Sequence, residues 1–191
     1  MSILFVPFGK GDGNENLVGM ANAWIANVGQ DVRGKVPPVL AVYDGVTASL
    51  AKAGANESIY VLAHGITDPQ LSGQYVANNH GNTNVTNFMS ATEVAKRVNR
   101  SGLPLGHRKL KLYICNLNGS AKPFAERVYQ VLAGKYTQLQ VSYYLSAVSI
   151  PLPAGDGTFH KRTVALMPDE NTGFVLLSMM GPRASELRVT V

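Results

Sequence analysis

At 191 residues and 20.4 kDa the chain is long enough for one domain with a full core and too short for two independent ones. Its 46% hydrophobic and 15% charged content excludes a disordered or collagen-like polymer, and 17 Lys+Arg against 12 Asp+Glu favours anionic partners without the dense basic field of a nucleic-acid binder. The one cysteine, Cys115, excludes an internal disulfide and any site built from two thiolates.

Ile3, Leu4, Phe5 and Val6 read as a first strand. No basic segment precedes them, so no leader peptide is expected, and no run approaches the roughly 18 apolar residues that a membrane span takes. After a polar loop over 9–16, Leu17, Met20, Ala21, Trp24, Ile25 and Val28 recur at helical spacing, which predicts a helix over 17–28. Pro37-Pro38 opens a second strand over 39–43, closed by Asp44-Gly45, and 46–53 is compatible with a second helix. A strand over 58–63 ends on His64-Gly65, and a long Asn-, Gly- and Thr-rich loop follows up to Asn87, of the kind that carries function. Ser90-Ala91-Thr92-Glu93 spells a capping box for a helix that ends near Gly102.

A strand over 110–114 ends on Cys115-Asn116, and the helix predicted over 121–133 stops at Gly134. Beyond it, 139–148, 163–167 and 174–180 read as hairpin strands added to the sheet, with a turn at Gly155-Asp156-Gly157. Strands alternating with helices define an α/β chain, a largely parallel central sheet with flanking helices plus C-terminal hairpin strands, in a single domain over 1–191.

One coincidence carries chemistry. An apolar strand ends in His64-Gly65, a later apolar strand ends in Cys115, and a single helix is predicted between them. In a parallel sheet the carboxyl ends of neighbouring strands face one crevice, the edge where open α/β sheets bind ligands. A thiol is a weak nucleophile until it loses its proton, and a histidine within reach can take that proton and later give it to a leaving group.

On these residues the chain resembles the caspase and legumain class of cysteine peptidases, which share a caspase-haemoglobinase fold, a three-layer sandwich. Cys115 follows His64 by 51 positions, close to the roughly 50-residue spacing of caspases. The caspase Gln-Ala-Cys signature is absent, Ile114 standing before the cysteine. Ile59-Tyr60-Val61-Leu62-Ala63-His64-Gly65, the capped helix from Ser90, Tyr113-Ile114-Cys115-Asn116 and Phe124-Ala125-Glu126-Arg127 are most similar to the self-processing protease domains of large bacterial toxins. The resemblance implies Cys115 as nucleophile, His64 as its acid/base partner, and the amides of Gly65 and Cys115 as an oxyanion hole. It also implies a peptide or protein substrate, an inositol phosphate-like anion as activator, and a cytoplasmic site of action or delivery from a bacterium without a cleavable leader. By position alone, the substrate pocket is expected to draw on 142–149 and 151–160, with Ser142, Ser149 and His160 as contacts.

Two other readings stand beside this one. A catalytically inactive domain of the same fold would bind a partner through a basic face, and an acyl or amide hydrolase would use the same dyad on a small substrate. Basic residues cluster at His107, Arg108, Lys109 and Lys111 and again at His160, Lys161 and Arg162, which read plainly as solvated strand ends. His80-Gly81 is a rival histidine in a polar loop, and Asp44 is a candidate third member that is ordinarily a turn residue. Gly29 to Lys35 mimics a phosphate loop but continues into Val36 where magnesium chemistry takes Ser or Thr, and neither G-x-S-x-G nor H-E-x-x-H occurs. No metal, organic cofactor or nucleic acid is expected.

Overall fold

A computed structural model of the chain describes residues 1–66, 68–79, 86–115, 119–167, 175–177 and 181–191, with 165–167 and 175–177 described by their backbone alone. The first strand, β1 (Ser2–Val6), is buried from Ile3 onward and leads through a short 3-10 turn at Lys10–Asp12 into α1 (Glu15–Gly29). Leu17, Ala21 and Trp24 form the buried stripe of α1, with Met20, Ile25 and Val28 packed beside them. Strands β2 (Val39–Val42) and β3 (Ser58–Leu62) follow, then β4 (Tyr75–Ala77), inside what the sequence presents as one long loop, pairs antiparallel with β5 (Phe88–Ser90) just past its end.

Helix α2 (Ala91–Arg100) starts where Ser90 Oγ accepts the Glu93 amide at 3.2 Å. Only this half of the capping box forms as expected; the Glu93 carboxylate is held by Arg97 at 3.2 Å and Arg100 at 3.7 Å. Strand β6 (Lys109–Tyr113), helix α3 (Ala121–Ala133) and strand β7 (Gln140–Tyr144) complete the alternating part of the chain. Five parallel strands run in the order β2-β1-β3-β6-β7, and β13 (Arg188–Thr190) adds an antiparallel sixth against β7.

The step from β1 through α1 to β2 moves one way across the sheet, and the steps from β3 to β6 to β7 move the other way. Right-handed crossovers then place α1 on one face and the mutually packed α2 and α3 on the other. Trp24 of α1 identifies its face by touching the rings of Tyr60 and Tyr113, with centroids 5.1 and 4.7 Å away. The reversal of direction falls between β1 and β3, which opens a crevice at their carboxyl ends.

Two expectations are corrected. No second helix forms over 46–53: the Leu50 amide is taken by the Ser101 carbonyl at the end of α2, leaving three-residue turns from Ala48 to Ala53. Leu50 and Ala53 are buried as the helical pattern suggested, but Val46 is 91% exposed. Gly102, at φ +80°, permits this docking, because a Cβ there would stand 2.8 Å from the Ala48 methyl.

The C-terminal strands are the other correction. Apart from β7, which the 139–148 run supplies as a parallel strand of the main sheet, and β13, those described lie outside it: β8 (Ala147–Val148), β11 (Thr163–Met167) and β12 (Val175–Leu177) form a small antiparallel sheet. Between them, β9 (Leu152–Pro153) and β10 (Phe159–His160) form a hairpin closed by the expected turn at Gly155 and Gly157, φ +74° and +75°. This hairpin seats on the end of α1 through Asn27 Nδ2 to the Pro151 carbonyl at 2.7 Å and the Val32 amide to the Gly157 carbonyl at 3.1 Å. Among the described residues no helix is long and apolar enough to cross a membrane.

Candidate active site

The β3–β6 ladder pairs Ile59 with Leu110, Tyr60 with Lys111, Val61 with Leu112 and Leu62 with Tyr113. One more bond, from the Ala63 amide to the Tyr113 carbonyl at 3.5 Å, extends it one residue past β3. His64 stands two residues past the end of β3 and Cys115 two past the end of the neighbouring β6, both toward the carboxyl edge of the sheet. Side chains alternate between faces, so Tyr60 and Leu62 share the α1 face with Lys111 and Tyr113. Beyond the ladder, His64 exchanges both backbone bonds with Ala77 of β4 at 2.9 Å, which pins the turn that continues through Gly65.

His64 is buried, and its Nε2 lies 2.7 Å from Oδ1 of Asn16 in the first turn of α1. An amide oxygen only accepts, so Nε2 carries the proton and Nδ1 is the basic nitrogen of the ring. The loop that delivers Asn16 is tied at many points. Asp12 Oδ2 accepts the Gly9 amide at 2.8 Å and pairs with Arg97, whose guanidinium also donates to the Pro7 carbonyl at 3.0 Å. Asn78 Nδ2 reaches the Asp12 and Gly13 carbonyls at 2.8 and 2.6 Å, and Asn14 Nδ2 reaches the Phe8 carbonyl at 3.0 Å. Polar groups thus fill the crevice between β1 and β3, bonded to one another.

Cys115 is half-buried, a free thiol. Burial pushes the thiol upward in pKa, and the Val148 backbone amide acts the other way. The Tyr113 hydroxyl donates to the Ser149 carbonyl, so the 148–149 segment runs beside the cysteine. The expected substrate contacts separate. Ser149 lies at this edge, though its hydroxyl bonds the Arg162 carbonyl and amide at 3.3 and 3.2 Å. Ser142 is lower in the sheet, opposite Lys111, its hydroxyl 2.9 Å from Thr190 Oγ1 in β13. His160 faces a cavity bounded by Met1, Ser2 and Pro38, at the amino ends of the strands. Ser142 and His160 therefore leave the substrate pocket: one is spent on strand pairing, and the other lies at the opposite edge of the sheet.

The basic clusters are also corrected. His107 is fully buried, with Nε2 3.2 Å from the Lys109 carbonyl, and burial lowers its pKa. Lys111 and Lys161, from different clusters, turn inward and meet at one phenol, donating to Tyr60 Oη at 3.3 and 2.7 Å. Asp44 is a turn residue, accepting from the Val46 and Thr47 amides at 2.9 and 2.7 Å. His80, Gly81 and Asn116 lie outside the described residues. Among the described residues no three His, Cys, Asp or Glu side chains gather as metal ligands.

Asn16 and the Asp12–Arg97 pair were not legible as site residues in the sequence. The one available signal was the placement of a polar loop after β1, at a sheet edge where ligands bind. No protein-family model matches the chain, and no curated protein matches it either.

Proposed function

We propose that the chain is a cysteine endopeptidase of caspase-like fold. The observation that supports this reading is that His64 and Cys115 follow the carboxyl ends of the adjacent parallel strands β3 and β6, with Asn16 holding the imidazole. The strand order, with its reversal between β1 and β3 and its antiparallel last strand, is compatible with that fold.

In the proposed reaction His64 Nδ1 takes the Cys115 proton as Sγ adds to the scissile carbonyl carbon. The amides of Gly65 and Cys115, by the resemblance, hold the oxyanion, a contribution of about 3 kcal/mol in other acyl-transfer enzymes. Collapse breaks the C–N bond, the imidazolium gives its proton to the departing amine, and water then hydrolyses the thioester. Because burial keeps the thiol protonated, the proton moves during attack, and no ion pair is formed beforehand. The substrate is a peptide or protein lying along the carboxyl edge beside 148–149.

An inositol phosphate-like activator, implied by the resemblance, would find its positive charge at the amino-edge cavity, where Arg33, Lys35 and Arg183 converge. Its effect would pass to Cys115 through Tyr113, which lies within 6.0 Å of Lys161 and bonds the Ser149 carbonyl. The proposed place of action is a reducing, cytoplasmic compartment, reached from within or by delivery from a bacterium.

A second reading, a caspase-like binding or adaptor domain without activity, is favoured by the protonated, half-buried thiol. A peptide-library cleavage assay, with and without inositol hexakisphosphate, separates the two. Cleavage lost in both Cys115→Ala and His64→Ala supports the peptidase. Cleavage unchanged in both variants, or absent under every condition, supports the binding domain.

A further inference from the structure

The amino-edge cavity has a volume of about 510 Å³, within the range of small-molecule sites, and no residue lining it is acidic. Arg33, Lys35, His160 and Arg183 form its polar wall, and Trp24 and Tyr60 contribute aromatic surface. Lys161 Nζ stands 4.1 Å from the centre of the Tyr60 ring and 5.0 Å from that of Trp24. Its described neighbours supply no carboxylate. Lys35, by contrast, is paired with the buried Asp31 at 3.3 Å.

We propose that Lys161 is the nucleophilic amine of a second site, which takes a small phosphate- or carboxylate-bearing aldehyde and binds it covalently as an imine. The cations of the wall hold the anionic group. The Nζ lone pair adds to the carbonyl carbon to give a carbinolamine, which loses its oxygen as water together with the amine's two protons. The sum is aldehyde plus amine to imine plus water, with no oxidant or reductant. A protonated amine cannot add, and the charges facing Lys161 bear on this: Lys111 of β6, Arg188 of β13 and Lys35 all disfavour a further cation, and burial does so most. These effects bring its pKa to about 7, so near neutrality the free amine is plentiful. The inference uses only the cavity and stands independently of the peptidase reading.

The test uses the wild-type chain with one equivalent of pyridoxal 5′-phosphate at pH 7.5, borohydride trapping and peptide mapping across its nine lysines. Pyridoxal without the phosphate serves as the second arm. The expected result is labelling at Lys161 at least about tenfold ahead of every other lysine, lost in Lys161→Arg, and at least about tenfold weaker without the phosphate. Label spread over several lysines, or concentrated on a different one, overturns the proposal. Equal labelling of Lys161 by both aldehydes overturns its anionic component.

Discussion

Asn16 Oδ1 lies 2.7 Å from His64 Nε2, and this contact fixes which imidazole nitrogen is basic. Removing it in Asn16→Ala leaves the ring free to choose either tautomer and costs the value of one hydrogen bond, about 1 kcal/mol. Peptidase kcat should fall about fivefold with KM little changed. Asn16→Asp places a carboxylate on the same nitrogen, favours the imidazolium, and should move the acidic limb of the pH–rate profile upward. A profile identical to wild type in both variants would remove Asn16 from the mechanism.

Arg97 connects α2 to the loop that carries Asn16, through Asp12 and the Pro7 carbonyl. Both charges are partly shielded from solvent, so Arg97→Ala should destabilise the fold by about 1–2 kcal/mol in urea unfolding. Arg97→Lys, which keeps the charge but not the fork, should recover only part of that loss.

Lys161 gives a pH signature of stability. Its folded pKa, about 7, lies below the ordinary lysine value of 10.5 because burial and the cations Lys111, Arg188 and Lys35 disfavour its charge. Between those values the unfolded chain binds a proton that the folded chain does not, so this group makes stability rise with pH across that window. The penalty is fully present below pH 7. Lys161→Met should therefore raise the Tm most at pH 6, with the gain shrinking toward pH 10. A gain that does not vary with pH would show that packing, not charge, is responsible.

Asp31 acts in the opposite sense. Its buried carboxylate accepts from Arg33 at 2.5 Å and from the Phe159 amide at 3.0 Å, and the Arg33 bond leads in holding its pKa well below the usual carboxylate range. The stability it contributes is present above the unfolded value and is lost as pH falls through the folded one. Asp31→Asn should lower the Tm at pH 7, and the difference from wild type should narrow below about pH 4, read by differential scanning calorimetry.

Most of the parallel sheet was legible because its strands are short, apolar and closed by turn residues: 58–63 and 110–114 fall within a residue or two of β3 and β6. Helix α1 was legible from its stripe and α3 from its clean boundaries. The 46–53 segment misled because Leu50 and Ala53 recur at helical spacing while the amide that decides the matter bonds to α2, far along the chain. That His64 and Cys115 each stand just past the end of an apolar strand followed from the strand boundaries alone. Asn16 did not, since its role depends on which helix covers which face, a property of topology. Lys111 and Lys161 read as solvated charges because nothing local shows that both meet the Tyr60 hydroxyl.

The pairing of His64 with Cys115 is tested most directly by the rate of iodoacetamide alkylation against pH, in the wild type and in His64→Ala. Cys115 is the only cysteine, so every label reports on it. A working pair predicts labelling of the native wild type that rises through the imidazole range near pH 6–7 and falls by at least about tenfold in His64→Ala at pH 7. Identical rates and pH dependence in the two proteins, or labelling of both only after denaturation, would contradict it.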